Sequence, residues 1–475
     1  MKYTSLKRNA LLNMMKQTCS VVFPIVTFPY VSRTLGASAY GQYSFSNSIA
    51  NYFILLAALG ISTYAVREGA KIRNNRELIN DFVSEIFTIN VISSILSLFL
   101  MVLSVFLFTK LRDYRLLICI QGLQIVLATI GIDWVNTIYE DYIYLTLRYI
   151  VFQVIGVFLI FLFVKSPADV FKYTLILVFV SGGGNILNVF YVKRYVRVKL
   201  SQLNSGLIRH IKPIFILFAD SVAVTLYVNS DITMLGIWYS DDVVGIYSLA
   251  SKLYNVIKMA LNAVVVVATP RVAAVSAQNL EENKNLLSKI FSAVMCIAFP
   301  ASMGLMCIGK SVISLVGGTT YASGGLALSI LAVSIVFAIM GAFFTSCVLI
   351  VCNQESKCLL ATSVSAIINV SLNVILGPRY GIIGAAFTTV LSETLSCFMK
   401  LYFAKRNIDG NFFNDKDLKA VLVGSGLVVL SCIALDNIKS MVLIKIIVQI
   451  VISMIVYAAT LIVMQFSLIP DRKRR

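Results

Sequence analysis

The chain has 475 residues, 59% of them hydrophobic and only 13% charged, with a mean hydropathy of +0.87. A soluble domain is about 45–50% apolar and roughly 25% charged, so an ordinary globular enzyme is excluded and lipid is the remaining solvent. Forty Lys and Arg against 22 Asp and Glu give a net charge of +18. The basic residues lie between apolar runs, so the excess reports orientation in a bilayer and no nucleic-acid partner is expected.

A crossing needs about 20 mostly apolar residues, and in chain order about fourteen such runs stand out. They centre on 12–31, 43–65, 83–109, 114–132, 142–164, 170–192, 213–237, 244–269, 289–309, 325–350, 358–377, 381–403, 418–435 and 441–467. The first carries Lys16, Pro24 and Pro29, and the seventh carries Asp220 and Asp231. Lys7 and Arg8, an apolar run and Ala37-Ser38-Ala39 imitate a cleavable signal peptide. Lys16, the two prolines and Arg33 break that pattern, so the run is expected to be a retained span. Runs this long satisfy their backbone in lipid only as helices.

The expected fold is an all-α membrane protein. It has an N-lobe over 1–205 (spans 1–6), a C-lobe over 206–408 (spans 7–12), and spans 13 and 14 over 409–475 with a basic cytoplasmic tail. With the N-terminus inside, Lys and Arg favour the inner segments by roughly three to one. Inside fall Lys7, Arg67, Lys71, Lys193, Arg197, Arg209, Lys405 and Arg472–Arg475, among others; outside fall Arg33, Lys110, Arg112 and Lys310. Both termini are therefore expected in the cytoplasm of a cell-membrane protein. Trp134 and Trp238 sit at predicted span ends, as interfacial anchors do.

A repeat is hidden in the polar residues. After span 1 the chain reads Leu35-Gly36, then Gly41-Gln42-Tyr43-Ser44; after span 7 it reads Leu235-Gly236, then Gly245-Ile246-Tyr247-Ser248. In that register Ser44, Asn47, Ser48 and Asn51 pair with Ser248, Ser251, Lys252 and Asn255. The spacing i, i+3, i+4, i+7 puts each set on one helical face, and lipid cannot pair with such a face. The expectation is two parallel repeats related by an axis along the membrane normal, with the polar faces turned to a shared polar cavity. The plainer alternative is that Ser and Asn glue helices together. That alternative is poorer for Lys252, because helix packing rarely needs an ammonium.

Charged residues inside or near spans include Lys16, Glu85, Arg148, Asp220, Asp231, Lys252, Lys258, Glu393 and Lys445. Each costs roughly 2.5–3.5 kcal/mol at a helix centre, so they should face the interior or snorkel. Glu85, Arg148 and Lys445 lie near span ends, where snorkelling is expected. Asp220 and Asp231 share a face of span 7, with Lys252 and Lys258 as candidate partners. A structural ion pair competes there with a cationic lumen holding an anionic head group, for which water would compete weakly.

Other chemistries are excluded by what is scarce. The nine cysteines form no C-x-x-C pair, so neither zinc nor a disulfide frame is implied, and buried inert thiols are expected. The one histidine, His210, lies in a basic connection, which argues against a histidine-based triad. No G-x-x-x-x-G-K-[ST] occurs, so the chain has no ATPase of its own.

Val31-Ser32-Arg33-Thr34-Leu35-Gly36, Tyr40-Gly41-Gln42-Tyr43-Ser44 and Tyr64-Ala65-Val66-Arg67-Glu68-Gly69-Ala70-Lys71 resemble the N-terminal signature of the Wzx-type oligosaccharide flippases. These belong to the superfamily of multidrug, oligosaccharidyl-lipid and polysaccharide exporters. The block from Asp231 to Ser248, with Pro270-Arg271, is similar to the start of that family's C-lobe, although apolar Ile232 stands where the family often has a basic residue. The resemblance implies a bundle that moves undecaprenyl-diphosphate-linked repeat units from the inner to the outer leaflet by alternating access.

The resulting expectation is a non-enzymatic transporter without cofactor or metal, in which Arg33, Arg67, Lys252 and Lys258 attract the diphosphate or acidic sugars. Asn47, Asn51 and Asn255 would bind sugar hydroxyls, and Asp220 or Asp231 would couple to protons or cations. Its partners would be the lipid-linked oligosaccharide, the bilayer and the polysaccharide polymerase machinery. The rivals are a drug or cation antiporter of the same fold, a membrane-embedded polymerase or ligase, which needs a large outer loop, and a scaffold without transport.

Overall fold

The computed structural model describes residues 6–201, 205–276, 280–406, 412, 415–436 and 441–467. Among them every regular element is helical. The principal helices are α1 (Leu6–Ala58), α2 (Ile61–Ile72), α3 (Arg76–Leu107), α4 (Thr109–Arg112), α5 (Arg115–Gly131), α6 (Asp133–Ile138), α7 (Tyr142–Phe163) and α8 (Val170–Tyr191). They are followed by α9 (Ser205–Trp238), α10 (Asp241–Ser276), α11 (Leu280–Gly317), α12 (Gly325–Phe343), α13 (Glu355–Lys405), α14 (Asp415–Ala434) and α15 (Val442–Val463).

Among the described residues, eleven helical stretches are long and apolar enough to cross a membrane. Two of them are long enough for a pair of crossings and are broken in between. In α1 the helix breaks at Gly36, with φ 72° and ψ 175°, and in α13 at Gly381, with φ 53° and ψ −130°. Helix α5 is shorter but apolar. Every one of the about fourteen runs in the sequence therefore coincides with helix. A β-carbon on Gly36 would meet nothing within 4 Å, so glycine is needed there for its backbone conformation and not for space.

The chain divides into two compact units, Met1–Gly245 and Ile246–Arg475. Span 7 opens the sequence repeat, yet its helix α9 belongs to the first unit, where it packs on α1, α2 and α3. In the second unit α11 packs on α12, α14 and α15, and α12 packs on α13. The basic tail Asp471–Arg475 lies outside the described residues.

Helix surfaces are inverted relative to a soluble protein. Phe106, Phe158, Phe190, Ile367 and Val463 are exposed, whereas Ser32, Ser46, Asn136, Thr174, Asn188, Ser302, Thr388 and Ser392 are fully buried. Hydrocarbon gives apolar side chains no reason to leave it, so small and hydrogen-bonding residues make the helix contacts. Asn188 shows this: its amide donates to the Gly131 carbonyl and, at 2.8 Å, to Asn136 Oδ1.

Several charges expected to snorkel instead meet partners. Arg148 pairs with Asp133, Lys445 with Asp436 at 2.7 Å, and Glu85 with Arg209 at 2.7 Å. A counter-charge within reach removes the need to stretch to the interface. Trp134 is buried in one apolar cluster with Tyr64 and Phe82, and Trp238 is exposed. Of the nine free thiols Cys119 is exposed, and Cys347, Cys397 and Cys432 are buried.

Candidate substrate-handling site

The two polar faces are built alike in sequence and used differently. On the second half of α1, Ser44 and Ser48 are buried and donate back to the Tyr40 and Phe45 carbonyls, the usual refuge of a hydroxyl inside a helix. Ser48 also accepts from Thr233 of α9 at 2.9 Å, and the Thr233 hydroxyl lies 3.1 Å from that of Tyr52. Asn51 donates to Asn229 Oδ1 at 3.1 Å. One ladder of hydrogen bonds thus stitches α1 to α9. Asn47, on the same face, is half-buried and has no hydrogen bond among the described residues.

On α10 the equivalent positions make no such ladder. Ser248 is buried with its hydroxyl unpartnered. Asn255 reaches only Ser251 of its own helix, at 3.3 Å. Lys252 is exposed and has neither a hydrogen bond nor an ion pair among the described residues. Lys258, six residues on, is paired: its ammonium lies 3.2 Å from Glu393 Oε1 and 4.9 Å from the Tyr254 ring centre. The described partner of Lys258 is therefore Glu393 of α13. Sequence order hid it, because Glu393 lies four spans further on.

The remaining predicted residues are dispersed. Arg33 is exposed and engaged. Arg67 is exposed on α2 and paired with Glu68 at 3.0 Å. Asp231 is buried on α9 and held by a polar or electrostatic contact. The Asp220 side chain lies outside the described residues.

The repeated glycines meet. A β-carbon on Gly41 would stand 1.8 Å from the Asp241 carbonyl oxygen, and one on Gly245 would stand 1.9 Å from that of Ala37. Ala37 and Gly41 hold in the first block the places that Asp241 and Gly245 hold in the second, so the contact is reciprocal, as a two-fold contact is. Only glycine lets two backbones approach this closely. Tyr114 of α5 braces the junction by donating to Asp241 Oδ1 at 2.5 Å.

These features define a multi-pass helical membrane protein with the fold of lipid flippases and multidrug transporters. The structure superposes on the lipid II flippase MurJ in an inward closed conformation with a TM-score of 0.78 and 15% identity, covering 97% of this chain and 99% of that one. An inward-facing multidrug resistance MATE family transporter of the MOP superfamily gives 0.59 and 13%, covering 82% and 94%. A family model described as polysaccharide biosynthesis protein matches residues 6–276, and the chain belongs to that family. In sequence it is similar to a putative O-antigen transporter of Escherichia coli (strain K12), 22% identical over 413 residues, 85% of this chain and 97% of the relative.

Proposed function

We propose that the protein translocates lipid-linked oligosaccharide repeat units from the inner to the outer leaflet of the cell membrane by alternating access, for surface polysaccharide assembly. Family membership and the relative named as an O-antigen transporter support the substrate class. The observation that carries the reading is Lys252, an exposed ammonium on a membrane helix without a counter-ion among the described residues. A cation kept in that setting costs free energy unless an anion arrives, and a substrate diphosphate or acidic sugar supplies one. Asn47 and Asn255 offer amides to sugar hydroxyls, while Asn51 holds α9. Arg33 and Arg67 add positive charge nearer the two surfaces, and Asp231 and Asp220 are the carboxylates proposed for coupling to protons or cations. Chemistry on the substrate is left to partner polymerase machinery; the chain works as a non-enzymatic transporter with both termini in the cytoplasm.

The test is replacement of Lys252 by Ala or Glu in a strain that depends on this gene for surface polysaccharide. At normal protein levels, export should collapse; undiminished export would overturn the assignment. The rival drug or cation antiporter predicts instead that a deletion strain becomes drug-sensitive while its polysaccharide is intact.

A further inference from the structure

One face of α3 changes character along its length. Leu78, Asp81, Phe82 and Glu85 border a cavity of about 720 Å³ that also touches α2, residues 199–201 and the start of α9. Ile89, Ile92, Leu96 and Leu100 continue that face at helical spacing. They border a second cavity, of about 770 Å³, shared with α1 and α9. Between Glu85 and Ile89, a single turn, the stripe passes from charged surroundings to apolar ones.

The apolar cavity is shaped as a slot for a hydrocarbon chain. At about 1.5 Å per residue, Ile89 to Leu100 covers roughly 16 Å, the depth of one leaflet of a ~30 Å hydrocarbon core. Its two hydroxyls are already engaged: Ser93 donates to the Ala57 carbonyl at 2.7 Å and Ser97 to that of Phe53 at 2.5 Å. Leu96, Ile208 and Phe215 are each more than half exposed, so the slot is open sideways.

The charged cavity suits a head group. Its side chains of fixed charge are Glu68, Asp81 and Glu85 against Lys71, Lys199 and Arg209, three of each sign. Glu68 is matched by Lys71 and Glu85 by Arg209, both at 2.7 Å. The Asp81 carboxylate and the Lys199 ammonium have neither a hydrogen bond nor an ion pair among the described residues. The backbone places them close together. The amides of Arg197, Lys199 and Ser201 donate to Asn80, Ser84 and Thr88 at 2.8, 3.2 and 2.8 Å. This strap pins Lys199 to α3 roughly one turn from Asp81, about 5 Å along the axis.

An available lysine and an available aspartate one turn apart fit a ligand that carries both signs. A lipid diphosphate brings only negative charge, and an anionic phospholipid would set its phosphate beside an unmatched Asp81. A phosphate joined by a short link to a primary ammonium satisfies both residues through charge-assisted hydrogen bonds. We propose that this seam binds a zwitterionic aminophospholipid, with its phosphate on Lys199, its ammonium on Asp81 and one acyl chain in the slot from Ile89 to Leu100. The bound lipid ties the start of α9 to α3.

The test uses full-length protein in nanodiscs of equal phosphatidylethanolamine and phosphatidylglycerol with a small fraction of undecaprenyl diphosphate. Retained lipids are then read by native mass spectrometry. The wild type should keep phosphatidylethanolamine over phosphatidylglycerol roughly tenfold, as one hydrogen bond to a charged group supplies. Asp81→Asn should bring the two near parity, and Lys199→Gln should cut retention of both several-fold. Leu96→Trp should fill the slot and cut retention, whereas Ile95→Trp, exposed but outside the slot, should not. All four replaced side chains are exposed, so the variants should fold. Equal retention of the two phospholipids by the wild type, or preference for undecaprenyl diphosphate, overturns the proposal. So does a lipid-free dimer, or equal lipid retention by Leu96→Trp and Ile95→Trp. No readout here involves transport, so failure of the flippase reading would leave the lipid site standing.

Discussion

The polar face of α1 and its counterpart on α10 share a spacing but not a job. On α1, Ser48 and Asn51 are consumed by hydrogen bonds to Thr233 and Asn229 of α9. On α10, Lys252 occupies the place of Ser48 and has no partner among the described residues, while Asn255 bonds there only within its helix. A duplicated pattern can therefore keep its periodicity while one copy becomes structure and the other remains available for chemistry. The physical cause is the neighbour: α9 offers the first copy acceptors and donors at matching heights, and lipid never could.

The comparison can be broken most forcefully where the repeats touch. Gly41→Val and Gly245→Val should each destabilise the protein by about 3 kcal/mol or more, because the added carbons collide with backbone and not with a yielding side chain. Thermal unfolding in detergent should show nearly equal losses for the two; a tolerant Gly245→Val would refute the reciprocity. Next in size is the cation on α10 that is paired among the described residues. Lys258→Met alone should cost about 3 kcal/mol, the low end for a broken buried pair, since the lysine side chain is 27% exposed. Lys258→Met with Glu393→Leu should recover much of that loss, and a double variant no better than the single would show that the pair is not what Glu393 is for.

Smaller effects sharpen the contrast. Asn51→Ala should lose about 0.6 kcal/mol, the average for one interhelical hydrogen bond in a membrane, and Asn255→Ala less, because it ties nothing to another helix. Lys252→Gln should leave stability within about 0.5 kcal/mol, as expected for a side chain with neither a hydrogen bond nor an ion pair among the described residues. Export measured on the same samples should fall for Lys252→Gln far more than for Asn51→Ala. Equal losses of export would erase the distinction between the two faces.

Hydropathy alone located the long apolar helices, because the cost of burying charge in hydrocarbon is a property of each segment and needs no knowledge of its neighbours. The breaks at Gly36 and Gly381 fall between runs that the sequence already separates. The repeat was legible too, since Leu-Gly and Gly-x-Tyr-Ser recur with the polar spacing intact. The site was less so. Lys252 stood out by residue type, whereas the Lys258–Glu393 and Glu85–Arg209 pairs depend on segments far apart in the chain meeting side by side.

By itself, then, the sequence determined that this chain lives in a membrane, which of its runs form long apolar helices, and that its halves echo each other; each follows from local transfer energies and spacing. Tertiary structure decided which polar groups are spent on one another and which stay available. Hydrogen bonds and ion pairs act over a few ångströms between helices, and no one-dimensional pattern records which helices become neighbours.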